Sequence, residues 1–174
     1  MAPVKQAENA RILQAPGGAD LARGVCRGLY HLGYTCLTEF KLASRRRVDV
    51  IGIDASGAIL IVEIKSSIED FRADRKWQEY LAFCDRFFFA VGQGFPREVL
   101  PTDCGLLIAD PYAATVIRDA PLLKLNAARR RAQTLRFAHT AAQRLTRLTD
   151  PAPLARPMQA SDPNQGMASG KLLL

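Results

Sequence analysis

Three charged side chains stand inside two otherwise apolar segments of this sequence. Asp49 lies within VDVIGID, and both Glu63 and Lys65 lie within ILIVEIK. The two segments have the composition of β-strands, and the intervening DASG predicts a hairpin turn. Alternate residues of a strand share a face, so Glu63 and Lys65 are expected on the same side of the sheet. A turn centred near residues 55 and 56 places Asp49 opposite Val62 or Glu63, with the two carboxylates about 5–8 Å apart.

This arrangement favours a divalent-metal site. Two carboxylates at such a distance repel each other unless a positive charge lies between them. Lys65 offsets part of that repulsion, and Mg²⁺ would offset it better because hard cations take carboxylate oxygens as ligands. The alternative is a structural ion pair between Lys65 and one acid, since buried charges must be paired. The three residues on adjacent strands favour catalysis, but the spacing leaves both interpretations open.

The same residues resemble a known nuclease motif. Asp49, thirteen intervening residues and then Glu63-Ile64-Lys65 are similar to the PD-(D/E)XK motif of many restriction and recombination nucleases, with Val48 in place of its proline. A longer stretch, RRVDVIGIDASGAILIVEIKSSIEDFRADRKWQEYLAFCDRFFFAV, resembles the MmcB-like family of bacterial DNA repair proteins. That similarity continues through FPREVLPTDCGLLIAD and AARRRAQTLRFAHTAAQRL and extends over about residues 17–148.

The resemblance implies a DNA endonuclease that hydrolyses phosphodiester bonds with Mg²⁺ or Mn²⁺. Asp49 and Glu63 would ligate the metal, with the backbone carbonyl of Ile64 as a third ligand. Lys65 would orient the attacking water and stabilise the negative charge that develops on the phosphate.

Further residues are expected to support this site. Related nucleases add an acid from an upstream element, and Glu39 in TCLTEFKL is the best-placed residue for that role, against the alternative of a salt bridge. Lys76 and Gln78 on the following helix could reach the site, whereas Tyr80 falls on that helix's apolar face. His31 and His139 are far apart without a supporting motif and are predicted to be non-catalytic.

The positive charge is concentrated in one segment. The chain has 24 Lys and Arg against 17 Asp and Glu, a net charge of +7. Residues 124–148 contain seven cations and no acid, so this segment accounts for the whole excess. A localised basic surface is typical of proteins that bind nucleic acid. The arginines predicted to contact DNA phosphates are Arg45, Arg46, Arg47, Arg129, Arg130, Arg131 and Arg136.

Hydrophobic periodicity predicts the elements that position these residues. A helix is expected from about Leu21 to Gly33, a second at about 68–84 and a third at about 123–148. The predicted strands are TCLTEFKL, VDVIGID, AILIVEIK, RFFFAVG, CGLLIAD and ATVIRDA. The apolar stripe of the third helix is Leu125, Ala128, Ala132, Leu135, Ala138, Ala142 and Leu145.

The order αβββαβββα predicts an α/β (α+β) domain with a mixed central sheet flanked by helices. The resemblance implies that this fold is restriction-endonuclease-like. The domain is predicted at 17–149, after a flexible lead at 1–16 and before a Pro- and Gly-rich tail at 150–174 that is expected to be disordered.

Composition limits the location and partners of the chain. MAPVKQAENA has no apolar signal-peptide region, and no run approaches the roughly 18 apolar residues of a membrane span. The four cysteines lack a zinc-binding spacing and are expected to be reduced thiols. We therefore expect a cytoplasmic, nucleoid-associated protein that binds DNA and no membrane, with a homodimer or other repair proteins left open.

Two functions are compatible with this sequence. The first is a DNA repair nuclease, and the second is a catalytically silent nuclease-fold module that binds DNA and recruits or regulates a repair complex. The presence of Asp49, Glu63 and Lys65 together favours the nuclease.

Overall fold

The computed structural model describes residues 17–74 and 76–150. Its α-helices are α1 (Gly18–His31), α2 (Ile68–Ala73) and α3 (Ala127–Thr149), and 3-10 helices span Trp77–Phe83 and Arg97–Val99. The strands are β1 (Tyr34–Lys41), β2 (Arg47–Asp54), β3 (Ile59–Lys65), β4 (Arg86–Val91), β5 (Gly105–Ala109) and β6 (Ala114–Arg118). The predicted flexible lead lies outside the described residues, as does the predicted tail except for Asp150. No helix within the described ranges is long and apolar enough to cross a membrane.

All six strands form one mixed sheet in the order in which they occur along the chain. β1, β2 and β3 are antiparallel neighbours, β3, β4 and β5 run parallel, and β6 is antiparallel to β5. The predicted fold class, a mixed sheet flanked by helices, is confirmed.

The predicted hairpin between β2 and β3 is also confirmed. The Asp54 carboxylate accepts hydrogen bonds from the backbone N–H groups of Ser56 and Ala58, and Gly57 supplies the positive φ of 81° that the turn requires. Val50 pairs with Val62, and extending this register by one residue sets Asp49 opposite Glu63. Of the two registers that the sequence allowed, the structure adopts this one.

The sheet has a packed core on each face. Ile59 and Ile61 of β3 belong to an aromatic cluster on the face that carries the 3-10 helix Trp77–Phe83. Leu60 and Val62 pack on the opposite face, beneath α1. β4 is buried on both faces, as its continuous apolar sequence predicts.

The helix predicted at about 68–84 is divided into two shorter helices. α2 ends at Ala73, and the next helical residues, Trp77–Phe83, form a 3-10 helix. Between them, Asp74 leaves helical geometry, and its carboxylate accepts hydrogen bonds from the Lys76 N–H and the Lys65 ammonium. An aspartate in a helix interior can exchange the helix for such local hydrogen bonds, which explains the break.

The third helix begins at Ala127, later than predicted, because the Asn126 side chain caps it by accepting from the Arg129 N–H. Its orientation also differs from the usual expectation that the apolar stripe of a helix faces the core. Leu135 and Leu145 are 61% and 62% exposed. The packed face instead carries Gln133, which is buried, and Phe137, the other residues of that face being mostly polar.

Candidate active site

The predicted catalytic residues line one cleft of about 820 Å³ between α1 and the strands β1, β2 and β3. Asp49, Glu63 and Lys65 all contribute to its wall, with Ile64 and Glu39 beside them. The remaining lining residues are Gly18, Ala19, Ala22, Arg23, Cys26, Arg27, Tyr30, His31, Thr38, Ser66 and Asp70.

An irregularity in β1 lies next to this cleft. Glu39 has a φ of 50°, in the left-handed region that costs a non-glycine residue about 1–2 kcal/mol. As a result, Leu37 and Phe40 both pack into the aromatic cluster, although residues three apart in a regular strand lie on opposite faces. The neighbouring strand β2 departs from alternation in the same way, since Val48 and Ile51 both pack into the aromatic cluster. The kink therefore lies where Glu39 lines the cleft together with Asp49 and Glu63.

Asp49 is anchored to the neighbouring strand. Its Oδ2 accepts a hydrogen bond of 2.7 Å from the Ile64 N–H, which continues the β2–β3 ladder through a side chain. Burial raises the pKa of Asp49, while the Ile64 hydrogen bond and the charge of Lys65 act in the opposite direction.

Glu63 is a buried carboxyl with one oxygen left unpaired. Its Oε1 lies 3.4 Å from the Lys65 ammonium, whereas its Oε2 is buried and has no hydrogen-bond partner within the described part of the chain. Burial and the neighbouring charge of Asp49 raise the pKa of Glu63 to about 8. An unpaired buried carboxylate oxygen costs free energy, so this position favours either a proton or a cation.

Lys65 has a second and closer partner that sequence reasoning missed. Its ammonium lies 2.6 Å from Oδ2 of Asp74, and the Lys65 side chain is only 3% exposed. Burial alone would lower the pKa of Lys65, but the Asp74 hydrogen bond and the charge of Glu63 outweigh it and raise this pKa. The sequence held no signal for Asp74, because it lies nine residues away and inside a segment predicted as continuous helix.

The donor atoms of this site suit a hard divalent cation. Asp49 and Glu63 supply carboxylate oxygens, the Ile64 carbonyl is adjacent in sequence, and the orphaned Glu63 Oε2 lacks the positive partner that an ion would provide. Residues 17–74 and 76–150 contain no cluster of three or more His, Cys, Asp or Glu arranged to hold a metal. Two carboxylates are nevertheless a common protein contribution to Mg²⁺ sites, where water and substrate phosphate complete the coordination.

The other predicted site residues fall into two groups. Glu39 lines the cleft, and its carboxylate forms a 2.7 Å ion pair with Arg47. Lys76 and Gln78 are not among the residues that line the cleft. The Tyr80 side chain is buried in the aromatic cluster, as predicted.

Comparisons with known proteins agree with the resemblance in the sequence. Residues 6–152 match the family described as DNA repair protein MmcB-like. The chain belongs to the MmcB-like family. A solved structure of the SPO1766 protein of unknown function from Silicibacter pomeroyi is 49% identical, covers 82% of this chain and 97% of its own, and superposes with a TM-score of 0.77. A search of curated proteins finds no match.

Three of the predicted DNA-binding arginines of this MmcB-like protein, Arg46, Arg47 and Arg130, are paired with protein carboxylates. Arg130 forms two hydrogen bonds of 2.6 Å with Asp85, whose side chain is only 4% exposed. Asp85 also accepts from the N–H groups of Ile59 and Leu125, so it joins β3 to the segment before α3. Arg46 makes two 3.0 Å hydrogen bonds with Glu79. We therefore assign Arg130 a structural role, as the counter-charge of Asp85.

The arginines at the start of α3 also lie far from the cleft. Arg130 contacts the Gly57 carbonyl just before β3, whereas Glu63 and Lys65 stand at the other end of that strand. At about 3.3 Å per residue, the two ends of β3 are about 20 Å apart. Arg144, later on α3, donates to the Glu39 carbonyl and so lies beside the cleft.

The cleft has a basic wall that the sequence did not predict. Arg23, Arg27, Tyr30 and His31 lie along the exposed side of α1 at the spacing of one helix face. This wall lines the same cleft as the carboxylates. A basic i, i+4 pair followed by an aromatic residue was visible in the sequence, but only the fold shows that it borders the same cleft as Asp49 and Glu63.

Proposed function

We propose that this MmcB-like protein is a DNA repair nuclease of the PD-(D/E)XK type that hydrolyses phosphodiester bonds with Mg²⁺ or Mn²⁺. The observation that carries the proposal is Glu63, a buried carboxylate opposite Asp49 with one unpaired oxygen and a lysine on the same strand face. A purely structural ion pair gives no reason for two adjacent acids with raised pKa values, and one orphaned oxygen, to line an open cleft.

Each residue of the site would have a separate role in this reaction. Asp49, Glu63 and the Ile64 carbonyl would hold the ion, which when bound lowers the pKa of coordinated water and polarises a phosphoryl oxygen. Lys65 would stabilise the negative charge that builds on the phosphate during attack. Asp74 keeps the Lys65 ammonium charged and directed along the strand face that also carries Glu63.

DNA would be held by cations around the cleft and along α3. Arg45 and Arg47 flank the start of β2, and Arg144 lies beside Glu39. Arg129, Arg131 and Arg136 on the exposed part of α3 would contact phosphates further along the nucleic acid.

The second candidate is a DNA-binding module without catalysis, and the Lys65–Asp74 contact favours it. An ammonium paired at 2.6 Å with Asp74 and at 3.4 Å with Glu63 is satisfied as a structural ion-pair network. In this alternative the basic surface binds DNA, and the acidic side chains stabilise the fold through ion pairs.

A cleavage assay separates the two candidates. The full chain is incubated with branched, nicked and single-stranded DNA in Mg²⁺ or Mn²⁺, beside the variant Asp49→Asn purified in the same way. The nuclease proposal requires cutting by the parent that Asp49→Asn loses. If the parent binds these DNAs but cuts none of them with either metal, the binding-module function is correct.

A further inference from the structure

We propose that the cleft binds single-stranded DNA, with Arg27 on a phosphate and Tyr30 stacked on a base. This inference rests on the proposed function, because it names the substrate class of the same site. The evidence for it comes from the α1 residues that line the cleft with the carboxylates, rather than from the proposed catalytic residues.

The size of the cleft argues against an intact duplex. About 820 Å³ is the volume of a pocket for a small ligand, which is space for a few nucleotides. Glu63 and Lys65 are 7% and 3% exposed, so a phosphate must enter the cleft to reach them. A duplex has a persistence length of about 150 base pairs, so a few base pairs cannot bend into a cleft of this size. A single strand is flexible enough to enter it.

The α1 wall carries the two side-chain types that hold single strands. Tyr30 is 71% exposed and lines the cleft, so its ring is accessible to a base that enters the cleft. Exposed aromatic rings beside a basic groove serve as stacking platforms for bases. The His31 ring lies edge-on to Tyr30, with 6.1 Å between ring centroids, and extends this polar and aromatic surface.

Arg27 is the cation best placed for a phosphate. Arg23, one turn earlier, is engaged with Asp20 at 2.6 Å. Arg27 lines the cleft and makes no hydrogen bond or ion pair with the described residues. A guanidinium that pairs with no other described residue is available for a phosphate, and it would offset the repulsion between the nucleic-acid backbone and the acidic side chains that line the same cleft.

The test is DNA binding by the full chain, measured by fluorescence anisotropy without divalent metal and repeated with Ca²⁺. The probes are a labelled oligothymidylate of about 12 nucleotides, within the usual site size for single strands, and a hairpin duplex of equal total charge. We expect tighter binding of the single strand by the parent protein. Tyr30→Ala should weaken it about tenfold, Tyr30→Phe should retain it, and Arg27→Ala should reduce the log–log salt slope by about 0.7.

Tyr112→Ala is the matched control, because Tyr112 is 76% exposed but does not line the cleft. Tighter binding of the duplex, or equal losses for Tyr30→Ala and Tyr112→Ala, would overturn the inference. Since no cleavage is measured, these outcomes are distinct from a failure of the nuclease proposal. Thermal unfolding of each variant confirms that binding is compared between folded proteins.

Discussion

The ammonium of Lys65 lies 2.6 Å from the carboxylate of Asp74, closer than the 3.4 Å that separates it from Glu63. Asp74 stands where α2 ends, so the end of this helix is joined to the last residue of β3. The contact holds Lys65 charged and limits its movement. It also makes Lys65 the residue whose replacement best separates a catalytic from a structural role.

Lys65→Met should retain DNA binding and lose cleavage. If Lys65 stabilises the transition state, we expect single-turnover cleavage at saturating enzyme to slow by about 10²-fold or more, roughly 2.7 kcal/mol of barrier. If Lys65 only balances charge, the variant should instead lose thermal stability, because Glu63 and Asp74 would be left without their cation. Lys76→Met is the control, since Lys76 does not line the cleft. Unchanged cleavage by a stable Lys65→Met protein would contradict the catalytic role.

The stability of the metal-free protein should fall as pH rises from about 5 to 8. Native Glu63, whose pKa is raised to about 8, stays protonated in this range, while an unfolded glutamate with a pKa of about 4.3 has lost its proton. The native state therefore binds more protons than the unfolded state, and the free energy of unfolding decreases with pH by at most about 1.4 kcal/mol per unit from this group.

Urea unfolding at several pH values measures this effect. Glu63→Gln should remove that part of the pH dependence and stabilise the protein near pH 8, whereas the exposed control Glu98→Gln should change neither. Mg²⁺ should stabilise the parent more near pH 8 than near pH 6, because below the pKa it must displace a proton. Identical pH profiles for parent and Glu63→Gln would show that Glu63 is ionised in the native state.

Arg130→Ala should destabilise the protein more than it affects DNA binding. Its removal leaves the buried Asp85 without a counter-charge, and because Arg130 itself is 30% exposed we expect a loss of about 2–4 kcal/mol. Arg131→Ala, the control on the exposed side of α3, should change stability by less than about 0.5 kcal/mol. The measurement is chemical denaturation, and equal midpoints for the two variants would refute the structural role of Arg130.

The orientation of α3 can be tested with two neighbouring residues. Phe137 packs on the core with its ring centroid 6.2 Å from that of Phe40, so Phe137→Ala should cost about 2–4 kcal/mol. Leu135 is 61% exposed, and Leu135→Asn should change stability by less than about 0.5 kcal/mol. The reverse result in thermal or urea unfolding would mean that the leucine and alanine stripe faces the core.

Local patterns in the sequence determined much of the sheet and the central part of the site. Strand composition and the DASG turn predicted β2 and β3, and their hairpin brought Asp49 opposite Glu63. These features are short-range, because alternation along a strand and turn geometry depend on residues within a few positions of each other. For the same reason the sequence alone places Glu63 and Lys65 on one strand face.

Tertiary structure alone decided which charges meet. Arg130 and Asp85 are 45 residues apart, and Lys65 meets Asp74 only because the chain leaves helical geometry after Ala73. The face that α3 buries follows from the polar partners offered by the underlying surface, which override its own apolar stripe. The role proposed for the basic wall of α1 likewise depends on the cleft, because helical periodicity predicts which residues share a face but not which residues lie near that face.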